Sequence, residues 1–283
     1  MKIVRHGSRG EERPGVLDKD GTLRDLSAVI RDWTPAELEQ AQLSRIAALD
    51  FSRLPTLPAG VRLGVPLNGI RKFIAIGLNY VDHALESGLT APKEPVVFTK
   101  AISCLTGPDD PVLLPRGSVK SDWEVELGVV IGRTARYVEK DAAPGFIAGY
   151  CLLDDVSERE YQIERGGTWD KGKGCDTFGP VGPWLVSADE IGDPQNLDLW
   201  LDVNGVRRQE GSTANMIFPV AELVAYLSCF MTLEPGDLIA TGTPAGVGMG
   251  MKPPLFLKPG DVMQLGSRRL GTQRHEVRAW SGE

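Results

Sequence analysis

The stretch Asp122-Trp123-Glu124-Val125-Glu126-Leu127, continuing as Gly128-Val129-Val130-Ile131, decides how this chain is read. Alternation along a strand puts Glu124 and Glu126 on one face, with Trp123, Val125 and Leu127 on the other, before the run turns wholly apolar. An isolated pair of like charges on a strand is most often a solvated edge, where it costs little. A second acidic group weighs against that reading, because Asp154-Asp155 closes the apolar run Tyr150-Cys151-Leu152-Leu153. Side chains that emerge where a core strand ends are placed for binding. Carboxylates converging from two such strands would make the oxygen donor set that Mg²⁺ and Mn²⁺ prefer.

Outward from this stretch the pattern stays β-rich. Phe73-Ile74-Ala75-Ile76, Pro95-Val96-Val97-Phe98 and Leu238-Ile239-Ala240 are further short apolar runs near Gly, Pro or Asp, as buried strands are. The 33 Gly and 20 Pro are 53 of 283 residues, against a background of roughly 12%, and so favour many turns over long helices. Helical signals are few. Val156 to Gln162 reads as a short helix, and Phe218 to Met231 as a longer one carrying Val220, Leu223, Val224, Leu227 and Phe230 at helical spacing. The fold class is therefore mixed β with short helices.

Residues 1–68 read as a small N-terminal appendage and 69–283 as the main domain. In the appendage, Asp20-Gly21 lies between short strand-like runs, a hairpin signal. Thr34-Pro35-Ala36-Glu37 then offers an N-cap, a proline in the first turn and a capping-box glutamate, with Leu38, Leu43, Ile46 and Leu49 as an imperfect apolar stripe ending before Leu54-Pro55.

Charge and cysteine usage exclude several classes. A formal charge of −7 has the wrong sign for binding phosphate backbones, so nucleic acid is not an expected partner. The four cysteines form no CxxC pair, which argues against a zinc site or a disulfide framework. The chain turns charged at Arg5, and no run approaches the roughly 20 apolar residues of a membrane span. A cytoplasmic protein without membrane association is expected.

The remaining chemistry concentrates in a few places. His83 is the one histidine of the three that lies far from the termini, and in a short helix it shares a face with Glu86 at i+3, where a carboxylate would orient the ring. Gly77 and Gly88 bracket this segment. Gly167 to Lys173 nearly matches the phosphate-binding pattern G-x-x-x-x-G-K-[ST], but Gly174 stands where a hydroxyl is needed and no helix can follow. What remains is a glycine loop presenting Lys173. Gly242, Gly246, Gly248 and Gly250 lie among prolines, and read as a loop that lets backbone approach a ligand rather than as a dinucleotide motif.

Taken together, these stretches resemble the fumarylacetoacetate hydrolase family over roughly residues 70 to 275. Gly77-Leu78-Asn79-Tyr80 with His83 and Glu86, Glu124-Val125-Glu126, Asp154-Asp155-Val156-Ser157, Lys173 with Asp176-Thr177-Phe178-Gly179-Pro180, and Thr241-Gly242-Thr243-Pro244 follow in family order. The resemblance implies a mixed β-sandwich roll, a homodimer, and Mg²⁺ or Mn²⁺ held by Glu124, Glu126 and Asp155. It further implies Lys173 beside the metal, His83 and Glu86 as a water-activating pair on a mobile lid, and Arg159, Gln162 and Thr243 as substrate contacts. Gly174 and Cys175 depart from the serine and apolar residue that follow the lysine in many members.

The appendage looks like that of the sugar-acid branch, which acts on 2,4-diketo-3-deoxy-L-rhamnonate or L-fuconate. The implied activity is hydrolysis of a C–C bond in a 2,4-dioxo acid, with a small 2-oxo acid as partner and pyruvate plus an acid such as lactate as products. Decarboxylation of an oxaloacetate-type acid and isomerisation of a hydroxy-dienedioate use the same enolate chemistry and are the nearest alternatives. A non-catalytic binding module with a structural cation is a further class, and a nicotinamide enzyme lacks its G-x-G-x-x-G.

Overall fold

The computed structural model describes residues 1–86, 88 and 90–281. Its strands, in chain order, are β1 Lys2–His6, β2 Arg13–Leu17, β3 Leu23–Asp25, β4 Phe73–Gly77, β5 Val96–Thr99, β6 Leu105–Thr106, β7 Val112–Leu114, β8 Ser121–Asp122 and β9 Val125–Ile131. They continue as β10 Ile147–Asp154, β11 Ser157–Glu158, β12 Gly179–Ser187, β13 Asp198–Val203, β14 Val206–Ser212, β15 Leu238–Ala240, β16 Val262–Ser267 and β17 Gly271–Ala279. The α-helices are short: α1 Gln40–Ala47, α2 Val81–Glu86, α3 Asp170–Lys173, α4 Ala188–Ile191 and α5 Val220–Phe230.

A large mixed sheet runs β3-β2-β1-β12-β10-β9-β15-β4-β5, with β6 added beside β12. Every residue of β9 and β10 is buried, which explains why both read as apolar runs: a strand covered on each face needs no polar alternation. Gly128 lets these two strands close tightly, since a Cβ there would lie 2.6 Å from the Cys151 sulfur. The second sheet, β14-β13-β16-β17-β7, packs against β9 and β12. Its strand β17 alternates exposed side chains with buried Gln273, His275 and Val277, as a half-covered strand should. The expected mixed-β architecture with short helices is therefore what forms.

The N-terminal segment joins the same sheet. β1 pairs antiparallel with β12, and the hairpin turn between β2 and β3 closes through Asp18 N–H to the Thr22 carbonyl (2.8 Å), with Gly21 at φ +82°. The capping box forms as Glu37 accepts from Thr34 N–H at 3.1 Å. It opens a 3₁₀ turn, Pro35–Leu38, rather than one long helix, and α1 follows separately.

The helix expected over Val156 to Gln162 does not form. Ser157 and Glu158 pair with β8 as strand β11, and one wide π turn spans Glu160–Glu164. The reason is tertiary anchoring: besides that pairing with β8, Arg159 N–H donates to the Lys120 carbonyl at 3.0 Å and Arg159 Nε to Asp122 Oδ2 at 2.8 Å, so the backbone up to Glu158 stays extended against β8. By contrast, α5 follows its sequence pattern, burying Val220, Leu223, Val224 and Leu227. No helix among the described residues is long and apolar enough to cross a membrane.

Candidate active site

The acidic residues meet because β9 and β10 are neighbours in one register. Leu153 faces Glu126 and Asp154 faces Val125, and beyond them Asp155 N–H donates to the Glu124 carbonyl at 2.9 Å. Oxygens of Glu124, Glu126 and Asp155 consequently lie within 4.8 Å of one another. All are buried and β9 is a central strand, so the solvated-edge reading does not hold.

Buried cations surround the cluster. Lys173 Nζ lies 2.7 Å from both Glu124 Oε2 and Asp155 Oδ2. Instead of a surface glycine loop, residues 170–173 form the turn α3, and Lys173 is only 1% exposed. Gly172 permits this burial, since a Cβ there would come within 2.4 Å of the Glu158 carbonyl oxygen. Lys100 lies deeper, with Nζ 2.5 Å from Asp155 Oδ1 and a second bond to the Lys173 carbonyl. Arg159 Nη2 sits 2.8 Å from Asp122 Oδ2 and 2.7 Å from Glu124 Oε1, ionic contacts without hydrogen-bond alignment.

These neighbours split the carboxylates. Burial alone would raise the Glu124 carboxyl, but Lys173 and Arg159 outweigh it and hold the group below its ordinary range. Burial drives Glu126 well above that range, and the adjacent Asp155 and Glu124 add to it. Glu126 accepts from Gly242 N–H at 2.7 Å, yet pairs with no cation among the described residues. Burial likewise pushes Asp154 up to about 7. An all-oxygen donor set with one member lacking a countercharge fits a hard divalent cation such as Mg²⁺ or Mn²⁺.

His83 and Glu86 share one face of α2, as expected from their spacing, with Nδ1 3.7 Å from Glu86 Oε1 and neither atom hydrogen-bonded. The stretch from Gly77 to Gly88 includes Ser87, which lies outside the described residues. The later glycine loop serves the acids directly. Backbone N–H groups of Gly242, Gly246 and Gly248 donate to Glu126 Oε2 (2.7 Å), Glu86 Oε2 (2.8 Å) and Asp122 Oδ1 (2.6 Å). Buried Asn79 staples the loop to the segment that enters α5, donating to the Thr241 and Phe218 carbonyls at 2.8 and 3.1 Å.

A cavity of about 360 Å³ opens over these groups, and His83, Glu124, Glu126, Arg159, Gln162, Lys173 and Thr243 all line it. Glu86 and Asp155 stand behind that lining, in contact with His83 and Lys173. Thr243 Oγ1 donates to the Val125 carbonyl (2.9 Å) and receives Gln209 Nε2 (2.7 Å), so it also fixes the start of β9. Sequence reasoning missed Lys100, Asp122, Phe98 and Trp169. Asp122 and Lys100 carried a readable signal, each being a charged residue at the end of an apolar or strand-like run. The packing of Trp169 over Gly77 carried none.

The chain is 56% identical over 279 residues to a hydrolase-named protein of Burkholderia lata, covering 98% of this chain and 99% of that protein. It is similar in structure to 2-hydroxyhepta-2,4-diene-1,7-dioate isomerase from Mycobacterium marinum, with a TM-score of 0.78, 33% identity and all of both chains covered. It is likewise similar to maleylpyruvate hydrolase from Sphingobium sp. SYK-6 in complex with manganese(II) ion and pyruvate, with a TM-score of 0.83, 30% identity and 99% and 100% of the two chains covered. The Fumarylacetoacetate (FAA) hydrolase C-terminal family model matches residues 72–278, most of the chain, and the protein is an enzyme that belongs to this family.

Proposed function

We propose that the protein hydrolyses the C3–C4 bond of a 2,4-dioxo acid to pyruvate and a second acid, with Glu124, Glu126 and Asp155 holding Mg²⁺ or Mn²⁺. The observation that carries this reading is the convergence of these carboxylates within 4.8 Å beneath a cavity also lined by His83. The manganese and pyruvate bound to the Sphingobium maleylpyruvate hydrolase support it. A cation bound here supplies Lewis-acid polarisation of a 2-oxo acid head group.

The chain's own residues account for the proton movements. His83 takes a proton from water at Nε2, while Nδ1–H faces Glu86 Oε1, whose carboxylate orients the ring. Glu86 is itself held by Gly246 N–H at 2.8 Å. Hydroxide adds to C4, the C3–C4 bond breaks, and C4 leaves as a carboxylic acid. The electron pair stays on the three-carbon fragment as an enolate, and protonation at C3 gives pyruvate. Lys173 Nζ, buried and 2.7 Å from Glu124 Oε2, lies where negative charge grows in that step and stabilises it more as it forms. Arg159, Gln162 and Thr243 contact the substrate.

By the resemblance, the substrate is 2,4-diketo-3-deoxy-L-rhamnonate or L-fuconate and the second acid is lactate; a cytoplasmic homodimer belongs to the same reading. The similarity to the M. marinum isomerase favours double-bond isomerisation as the second reading. Pyruvate release separates the two: coupled to lactate dehydrogenase, the protein should form pyruvate from the C6 dioxo acid with Mg²⁺ and not with EDTA. His83→Ala should retain Mg²⁺ binding and lose turnover. An unchanged rate in that variant sinks the dyad, and absence of pyruvate transfers the weight to isomerisation.

A further inference from the structure

We infer that the cavity takes a 2-oxo monoacid whose far end is uncharged and largely apolar, and discriminates against 2-oxo diacids. This rests on the 2-oxo-acid reading above and adds what the far half of the cavity recognises. A second carboxylate carried into the cavity would need a cation of its own, because a buried charge without a partner is strongly disfavoured. Among the described residues, the permanent cations that line the cavity are Arg159 and Lys173. Each already faces two carboxylates, Arg159 those of Asp122 and Glu124 and Lys173 those of Glu124 and Asp155, so beyond their contacts with the 2-oxo acid head group neither has positive charge to spare for a second carboxylate. Around the π turn, Arg165, Lys171 and Lys120 bind Glu160, the Arg165 carbonyl and Glu164 respectively, and none of them lines the cavity.

Much of the remaining lining is apolar, made by Leu78, Phe98, Ile163, Trp169 and Met249. It is a built wall. Trp169 meets Phe98 edge to face with ring centroids 5.2 Å apart. Its indole also fills the space that a Cβ on Gly77 would need, 2.4 Å from Trp169 Cζ3. Ile163 is 54% exposed, leaving apolar surface that an aliphatic tail would cover. The polar element beside it is neutral: Gln162 Oε1 accepts from Arg159 Nη1 at 3.0 Å, which turns the amide N–H₂ into the donor for a hydroxyl or oxo oxygen. A short tail with one hydroxyl and a terminal methyl matches these walls, whereas a terminal carboxylate meets none of the partners it requires.

The test is calorimetric titration of the wild-type protein in Mg²⁺ with 2-oxohexanoate and with 2-oxoadipate. They share the head group and the chain length, differ in a terminal methyl against a terminal carboxylate, and lack the C4 oxo group needed for cleavage. The expected result is tighter binding of 2-oxohexanoate by about tenfold. A ratio below about threefold, or a reversed one, overturns the inference and leaves the head-group reading standing. Heat from neither ligand overturns the 2-oxo-acid reading itself, and this inference with it.

Discussion

Gly250 sits so close to Glu86 that a Cβ on it would lie 2.3 Å from Glu86 Cγ and 2.6 Å from Oε1. Together with the Gly246 N–H bond to Oε2, this fixes the carboxylate behind His83. Gly250→Ala should therefore push Glu86 out of place without touching Glu124, Glu126 or Asp155. On the proposed reading, turnover falls on the order of tenfold to a hundredfold, part of what a positioned base contributes, while Mg²⁺ affinity holds. Pyruvate release and a Mg²⁺ titration measured on one preparation check both halves.

Glu126→Gln separates the metal from the fold. In the metal-free protein Glu126 has its folded-state pKa raised by burial and by Asp155 and Glu124. The folded state thus holds the proton more tightly than the unfolded chain, and stability is full below the ordinary 4.5 and is lost as pH rises through the raised value. Urea unfolding in EDTA should show that decline in the wild type and a flatter profile in Glu126→Gln. Mg²⁺ should restore the wild type at high pH, and the variant should bind it at least about tenfold more weakly.

His275 predicts the opposite limb. Burial holds its pKa down to about 4, with the bond to the Asp110 carbonyl (2.7 Å) only partly opposing. The unfolded chain takes up the proton first, so the contribution is present above the ordinary 6.5 and is lost as pH falls toward 4. Unfolding midpoints between pH 7.5 and 5 should drop more in the wild type than in His275→Gln. Equal slopes would contradict this.

Asp122 is an organiser rather than a reacting group. Fully buried itself, it accepts from Gly248 N–H (2.6 Å), Met249 N–H (3.0 Å) and Arg159 Nε (2.8 Å). Asp122→Asn keeps the shape and removes half of a buried ion pair, which should cost about 3 kcal/mol, since Arg159 retains Glu124. Chemical denaturation measures the loss. Because Arg159 and the Met249 wall shift with it, KM should rise more than kcat falls.

The strands Phe73–Gly77, Val125–Ile131 and Ile147–Asp154 were legible as apolar runs because burial on both faces leaves a local mark in each of them, whereas Val96–Thr99, read as a buried strand, is a partly exposed strand at the sheet edge. The capping box at Thr34 and the α5 stripe were legible for the same reason: hydrogen-bond closure and helical period are set by residues a few positions apart. The i, i+3 placement of His83 and Glu86 also followed from the period of α2 alone.

Sequence by itself therefore determined the central strands, the α5 helix and, through motif order, the family. Tertiary structure alone decided what the charged residues do. Val156 to Gln162 has helical character locally, but Arg159 is drawn to Asp122, 37 residues away, and the backbone follows. Lys173 reads as a lysine in a glycine loop until Glu124 and Asp155 compensate its burial. Lys100 and Trp169 enter the site only because β5 lies at the sheet edge beside α3. The physical reason is range: propensity and period act over a few residues, whereas register, desolvation and charge pairing depend on which distant segment arrives opposite.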